Sequence, residues 1–431
     1  MLTAFGRAFR TPDLRRKLLF TLAMIGVYRL GSVVPGPGVS YVAIQNCLAQ
    51  VKDSSLYGLV NLFSGGALLK LSIFALGIMP YITSSIIVQL LIVVIPRLEA
   101  LKEEGQSGQA KLTQYTRYLT VALAILQSTG IVALARSGNL IQGCSEKIIP
   151  NDSLFRIITL VVTLTAGTAV IMWLGELVTD RGIGNGMSVL IFTSIISSIP
   201  SQGTRILNQP RGGLILTLVL VLALLVITLV VFVEQAQRRV PVQYAKRMIG
   251  RRMYGGTSTY IPLKVNQAGV IPVIFASSLL YLPQLLVNVW RSNETFTRFV
   301  TRYLTSGDHP VYLVTYFLLI VFFTYFYVAI TFNPVEVADN MKKYGGFVPG
   351  IRPGRATAEY LDYILSRVTS FGALYLGLVA VLPLLLFNLT AGANRIPFGG
   401  TAVLIIVGVG LETVKQVESQ LMLRNYEGFL R

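Results

Sequence analysis

The residues of this chain best equipped for chemistry are cations, and they are set in two long polar connections. The first, Glu234 to Lys264, carries Arg238, Arg239, Lys246, Arg247, Arg251, Arg252 and Lys264 against a single acid, Glu234, with Tyr244, Tyr254 and Tyr260 interleaved. Guanidinium groups spaced by aromatic rings suit a phosphate backbone or an acidic protein surface, and they equally suit a topology signal lying on anionic lipid headgroups. The second, Asn333 to Arg367, contains GGFVPGIRPGR from Gly345 to Arg355. Proline and glycine alternate there so densely that neither helix nor strand is expected to continue. A stiff protruding tip is the expectation. Arg352 stands between Ile351 and Pro353, and proline's fixed φ, with its restriction of the preceding residue, presents that guanidinium in a defined pose.

Catalytic equipment is sparse by comparison. The chain has one histidine, His309, and no HExxH, GxSxG or GxxxxGKS/T pattern, so intramembrane proteolysis and nucleotide hydrolysis lack their usual residues. The run GIGNG, Gly182 to Gly186, echoes a phosphate loop, but it follows Asp180 and Arg181 with no strand before it and reads as a flexible entry to a short helix. No enzyme activity, cofactor or metal site is expected. The two cysteines, Cys47 and Cys144, fall in connections facing the same, outer side, where a disulfide persists. Their spacing leaves both a Cys47 to Cys144 bond and two separate thiols open.

These residues are positioned by membrane spans. Of 431 residues 53% are hydrophobic and only 13% are charged, against about a quarter charged in soluble domains. About ten stretches approach the length of about 20 apolar residues that crosses hydrocarbon. They are Leu18 to Val34, Ser72 to Ile95, Tyr118 to Ala135, Ile157 to Leu174, Met187 to Ile199, Leu214 to Val233, Ala268 to Trp290, Val311 to Phe332, Thr369 to Leu389 and Phe398 to Val414. The basic run Arg15, Arg16 and Lys17 precedes the first stretch without a small-residue cleavage site after it, so the first span is read as retained. With the amino terminus inside, roughly 25 Lys and Arg fall on the cytoplasmic side and roughly 11 outside, which places both termini in the cytoplasm.

Five spans in residues 1–200 and five in 201–431 force the two halves to face opposite ways across the bilayer, as in folds whose lobes clasp a central path. Ahead of the second span stands LYGLVNLFSGGALLK, Leu56 to Lys70, short and broken by glycine. Non-helical backbone at membrane depth survives only inside protein or beside a water-filled path. Acids associated with the spans, Glu176 and Glu412, lie at their cytoplasmic ends, and Arg29 is read as snorkelling outward with no transport role. Uncharged polar groups remain in the interior: Asn61, Gln89, Asn185, Asn266, Gln267, Thr83, Ser84 and Ser85. Such groups bond helix to helix for about 0.6 to 2 kcal/mol each, a strength that holds a contact and still releases it.

Along the chain, FSGGALLKLSIFALGIMPYITSSIIVQLL is followed by QYTRYLTVALAILQSTGI, MWLGELVTDRGIGNGMSVLIF, PLKVNQAGVIPVIFASSLL, FNPVEVADNMKKYGGFVPGIRPG and PFGGTAVLIIV. In these runs the sequence resembles the bacterial SecY family, channel subunits of the protein-secretion translocon, in order and over nearly its whole length. The resemblance implies an all-α polytopic membrane protein, ten transmembrane helices in two inverted five-helix halves around an hourglass pore. It implies a pore ring of Ile78, Ile82, Met187, Ile191, Ile274 and Ile405, and a plug half-helix over about residues 56–70 that includes Asn61, Phe63, Ser64, Gly65 and Gly66. The pairs Ile78 and Ile82, and Met187 and Ile191, are each four apart and so share a helix face. Apolar side chains at a constriction exclude ions by dewetting while yielding around a moving chain.

The resemblance also implies a lateral gate between spans two and three on one side and seven and eight on the other, with Gln89 and Asn185 as its polar groups and Pro272 and Pro283 kinking the seventh span. Arg251, Arg252 and Arg352 would meet the ribosome or the SecA motor through cytoplasmic loops of about 234–265 and 333–367. Implied partners are SecE and SecG, SecA, the ribosome, signal peptides, nascent secretory and membrane proteins, and the lipid bilayer. The implied function is passage of unfolded polypeptides across the bacterial plasma membrane and lateral release of hydrophobic segments into it. A secondary transporter for a small solute shares broken helices and inverted halves, and is the competing reading.

Overall fold

Each of the ten apolar stretches coincides, wholly or in part, with a helix in the computed structural model. The structure describes residues 9, 11–50, 64–136, 148–150, 153–207, 212–244, 247–249, 252–254, 258–289, 298–305, 309–390 and 400–427. In chain order the helices are α1 (Pro12–Val33), the short α2 (Tyr41–Gln50), α3 (Met79–Val94), α4 (Pro96–Glu103), α5 (Gln106–Arg136), α6 (Leu154–Arg181), α7 (Gly186–Leu207), α8 (Gly212–Gln235), α9 (Ile271–Val289), α10 (Pro310–Thr331), α11 (Pro334–Lys343), α12 (Arg355–Thr390) and α13 (Gly400–Glu427). Their ends follow local chemistry. Asn333 Oδ1 accepts from the amides of Val335 (3.1 Å) and Glu336 (3.4 Å), with Pro334 in the first turn and Lys342 and Lys343 in the last, so α11 is capped and matched to its dipole at both ends. Inside the spans, hydroxyls bond back to their own helix, as Thr83 does to the Met79 carbonyl and Ser84 to that of Pro80, which satisfies them without a partner from another helix.

Two sequence expectations about the spans change. The fifth helix does not stop at Pro200 but continues to Leu207. A proline removes one helical hydrogen bond and bends the helix without having to end it. In the seventh span only Pro283 is interior. Pro272 sits in the first turn of α9, where its missing N–H costs nothing and no kink results.

The halves meet along two seams. On one side α7 packs against α8 and α13, where the chain itself passes from half to half. On the other, α9 packs against α3 and α5. Within the first half α6 touches α1, α3, α5 and α7, and within the second α12 touches α9, α10 and α13. Each half therefore has a central helix, and the interface between halves is built by others.

Beside the expected all-α membrane architecture stands a small sheet. Strands β1 (Gln237–Tyr244) and β4 (Ser258–Lys264) pair antiparallel from Gln237 opposite Lys264 to Gln243 opposite Ser258, and β5 (Gly346–Phe347) joins the free edge of β1 at Gln243 and Tyr244. A separate pair, β2 (Arg247–Ile249) and β3 (Arg252–Tyr254), forms a hairpin beyond it. The two long polar connections are thus one folded unit, and the GGFVPGIRPGR loop contributes a strand where none was expected. Val240 and Val242, alternate residues on one face of β1, bury with Leu263, Met341, Val348 and Leu361. Neither connection holds enough apolar surface for a core of its own, and pairing them supplies it.

Candidate functional site

At the centre of the helices Ile78, Ile82, Ile191, Ile274 and Ile405 are buried in a single apolar cluster, with Met187 packed at its edge. The six come from four helices: Ile82 on α3, with Ile78 capping it, Met187 and Ile191 on α7, Ile274 on α9 and Ile405 on α13. Two of these helices belong to each half, and the cluster also takes in residues of α1, α6, α8, α10 and α12, so it runs through the core of both halves. Ile405 is 0% exposed and Ile78 2%. Met187 is only half-buried, and its thioether lies over Gly175 of α6, where a Cβ would come within 2.4 Å of Sδ.

Beside the cluster runs the backbone that precedes α3. The second span was expected to be helical from Ser72, but residues 64–78 form consecutive turns and α3 begins at Met79. Where the resemblance implied a half-helix, the described part is likewise turn. Gly65 and Gly66 have φ of +63° and +87°, a region that a side chain opposes. Asn61 and Phe63 lie outside the described residues. Ser64, Ala67, Leu68, Leu71 and Ser72 are each 0% exposed, and their polar groups are satisfied locally. Ser64 Oγ accepts from the Leu68 amide (3.1 Å), and the Ala67 carbonyl receives the Ser72 hydroxyl at 3.3 Å. Farther on, the Gly36 amide donates to Leu71 O (2.8 Å) and the Ile73 amide to Val34 O (3.0 Å). A buried non-helical backbone is tolerated because protein groups replace the missing helical bonds.

Gly167 on α6 leaves the space this segment occupies: a Cβ there would stand 2.1 Å from the Ile73 carbonyl oxygen. Gly167→Ala is expected to destabilise the protein by about 1–3 kcal/mol, as overpacking does, seen as earlier thermal unfolding in detergent. An unchanged melting curve would show that the segment is free to shift.

Arg29 was expected to reach outward; instead it turns inward. Its Nη1 donates to the Gly65 carbonyl (3.1 Å) and to Ser197 Oγ on α7 (3.0 Å). A guanidinium that finds three-dimensional acceptors inside the protein has no reason to snorkel, and hydropathy alone does not reveal those acceptors.

The seam of α9 with α3 and α5 was expected to carry Gln89 and Asn185. Gln89 is half-buried on α3. Asn185 is exposed and caps α7, its Oδ1 accepting from the amides of Met187 (3.1 Å) and Ser188 (3.4 Å). The structure does not bring the two together: α7 packs on α1, α6, α8 and α13, and an Asn directly before a helix is satisfied as its N-cap. A bond unforeseen from the sequence does link the halves near this seam. Lys102 Nζ, on α4, donates to Ile330 O in the last turn of α10 (3.2 Å), at the negative end of that helix. Where β4 leads into α9, buried Asn266 donates to Glu234 Oε2 (3.0 Å) and Gly269 O (3.1 Å), fixing the start of the helix.

On the folded polar unit, Arg352 is exposed between half-buried Ile351 and exposed Pro353. Thr357 Oγ1 donates to the Arg352 carbonyl (2.9 Å), and the Ile351 amide to Val348 O (3.0 Å). The backbone of the tip is therefore pinned while the guanidinium is solvent-facing. Arg252 lies in β3 opposite Ile249, and its side chain and all of Arg251 lie outside the described residues. Arg239 stacks its guanidinium 4.8 Å from the Tyr260 ring centroid, a diagonal pair across β1 and β4 that required the register to be seen. Cys47 is disulfide-bonded and buried, so the separate-thiol alternative does not hold; Cys144, the other cysteine, lies outside the described residues.

Residues 72–414 match the SecY family. The chain belongs to that family. A curated relative from Streptomyces galbus, "Protein translocase subunit SecY", is 66% identical over 437 residues, covering 100% of both chains. Among solved structures, "The structure of a protein conducting channel" superposes with a TM-score of 0.65 at 18% identity, covering 94% of this chain and 92% of that one. "Sec61 in the Canine ribosome-channel complex from the endoplasmic reticulum" gives a TM-score of 0.61, also at 18% identity, with the same 94% and 92% coverage. At that identity the structural likeness establishes the fold, and the fold is that of the family's membrane channels. The chain is a multi-pass membrane protein, with five described helices each long and apolar enough to cross alone.

Proposed function

We propose that this chain is the protein-conducting channel of a bacterial translocase: it passes unfolded secretory polypeptides across the plasma membrane and releases hydrophobic segments sideways into the lipid. The observation that carries this reading is the burial of Ile78, Ile82, Ile191, Ile274 and Ile405, from four helices of both halves, in one apolar core beside buried, non-helical backbone. Ile78, Ile82, Met187, Ile191, Ile274 and Ile405 form the ring that seals the resting path. A ring of flexible apolar side chains excludes water and ions by dewetting, yet conforms to whatever residue is passing. The segment at 56–70 is the plug, and the α9 seam with α3 and α5 is where a signal sequence leaves for lipid, Gln89 lying along it.

The chain supplies a passage and no catalytic residue; its energy comes from a SecA-type motor or a translating ribosome. Those partners dock on the folded polar unit through Arg251, Arg252 and Arg352, with both chain termini on the same, cytoplasmic side. SecE and SecG complete the complex within the bilayer. A solute transporter is disfavoured by the family to which the chain belongs.

The test is reconstitution with SecE in liposomes, followed by SecA, ATP and a signal-bearing precursor. The expected result is ATP-dependent protection of the precursor from external protease that vanishes with a defective signal. If SecA binds and a known translocon works in parallel, but no precursor is protected, the channel reading fails.

A further inference from the structure

Arg29 lies within a membrane-spanning helix, where a charge is costly unless it does something. Its surroundings are built to receive it. Ser197 Oγ donates its own proton to Ser194 O (2.8 Å), and Ser32 Oγ to Arg29 O (2.7 Å). Both hydroxyls are thereby left with lone pairs toward the guanidinium, Ser197 at 3.0 Å and Ser32 at 3.5 Å. The neighbouring residue repeats the arrangement: Ser194 Oγ donates to Leu190 O (2.9 Å), so Tyr28 donates its hydroxyl to Ser194 Oγ at 2.6 Å. Tyr28 is 2% exposed and stacks on Phe74 of the turn segment, centroids 6.0 Å apart. Two consecutive residues of α1 thus clip two serines three apart on α7.

Gly65 sits in the jaws of this clip. A Cβ there would meet Ser197 Oγ at 3.1 Å, Ser194 Cα at 3.3 Å and Arg29 Nη1 at 3.5 Å. Its carbonyl accepts from the same nitrogen, Arg29 Nη1, at 3.1 Å. An acceptor that is a neutral carbonyl, and not a carboxylate, matters. A charge-assisted bond to a carbonyl is firm while dry, but water replaces it readily once the site is wetted, and after release Ser197 and Ser32 still hold the guanidinium.

We propose that Arg29 is the latch of the resting channel, a positioning residue that holds the base of the plug against α7 through the Gly65 carbonyl and releases it when a polypeptide enters. This rests on the plug reading above.

Resting conductance of the reconstituted complex, with its membrane partner and no precursor, tests it in planar bilayers. Arg29→Ala is expected to raise the open fraction about tenfold, the effect of losing one charge-assisted hydrogen bond, and Ser197→Ala to raise it less. In a channel lacking residues 56–70, already leaky, Arg29→Ala should add nothing. The latch is overturned if Arg29→Ala, present in membranes at the wild-type level, stays as quiet as wild type while the deletion leaks. It is equally overturned if the substitution adds further leak to the deletion, which marks general loosening of the helices. Should Arg29→Ala fail to accumulate, Ser197→Ala decides, since it keeps the charge: unchanged conductance refutes the latch. A deletion that is itself quiet removes the plug reading and the latch with it.

Discussion

Arg352→Glu is expected to cut motor-driven export by a hundredfold or more, on the order of the 2–5 kcal/mol lost when one partner of a charge pair is removed at an interface, while the chain still accumulates and folds. The two halves of that statement have separate physical grounds. The guanidinium is exposed and its backbone is secured independently of it, by the Thr357 hydroxyl on the Arg352 carbonyl at 2.9 Å and by the burial of Gly354 and Thr357. Exposed substitutions away from such supports stay within about 0.5 kcal/mol of neutral. For a partner with an acidic or phosphate surface, however, the change replaces attraction with repulsion at a side chain whose pose is set by Pro353. Arg352→Lys keeps the charge but loses the planar fork, and an intermediate rate is expected. Protease protection of a precursor, with SecA binding measured separately, reads the effect. Full export by Arg352→Glu would remove the tip from the docking surface.

How the sequence conveyed the fold explains where it misled. Span positions were legible because hydrocarbon imposes length and composition on each helix by itself. The sheet was not, because β5 has two residues and pairs with β1 about a hundred positions earlier, and Pro241 and Pro262 lie within the paired strands β1 and β4. The alternation of Val240 and Val242 was the one local signal. Asn185 was legible in principle as a helix cap, standing directly before Gly186 where α7 starts, and its place at the gate was implied by the family resemblance alone. Arg29 shows the limit of reasoning by depth. Proximity to the end of a span describes where a long side chain is able to reach, and only the fold shows that Gly65 and Ser197 stand within hydrogen-bond reach.

The ring carries the other large effect. Ile405→Asn is expected to raise the ion permeability of resting proteoliposomes by about ten- to hundredfold, because an amide buried without a partner costs about 1–3 kcal/mol and recovers it by admitting water. Ile405 is the member with least access to solvent, 0% exposed, its neighbours Leu404 (1%) and Val407 (7%) are apolar, and the nearest hydroxyl along the same helix is that of Thr401, a turn earlier. On the channel reading proposed above, water drawn to that point enters the ring contributed by α3, α7, α9 and α13, which excludes ions together with the plug. Ile405→Leu keeps volume and polarity and should stay tight. The pair of variants separates seal from scaffold: a merely structural position would answer to both changes through stability, and both proteins would melt earlier without conducting. If Ile405→Asn liposomes hold their ions and still carry precursor, the barrier lies elsewhere in the channel, and the turn segment at 64–78 must then supply it unaided.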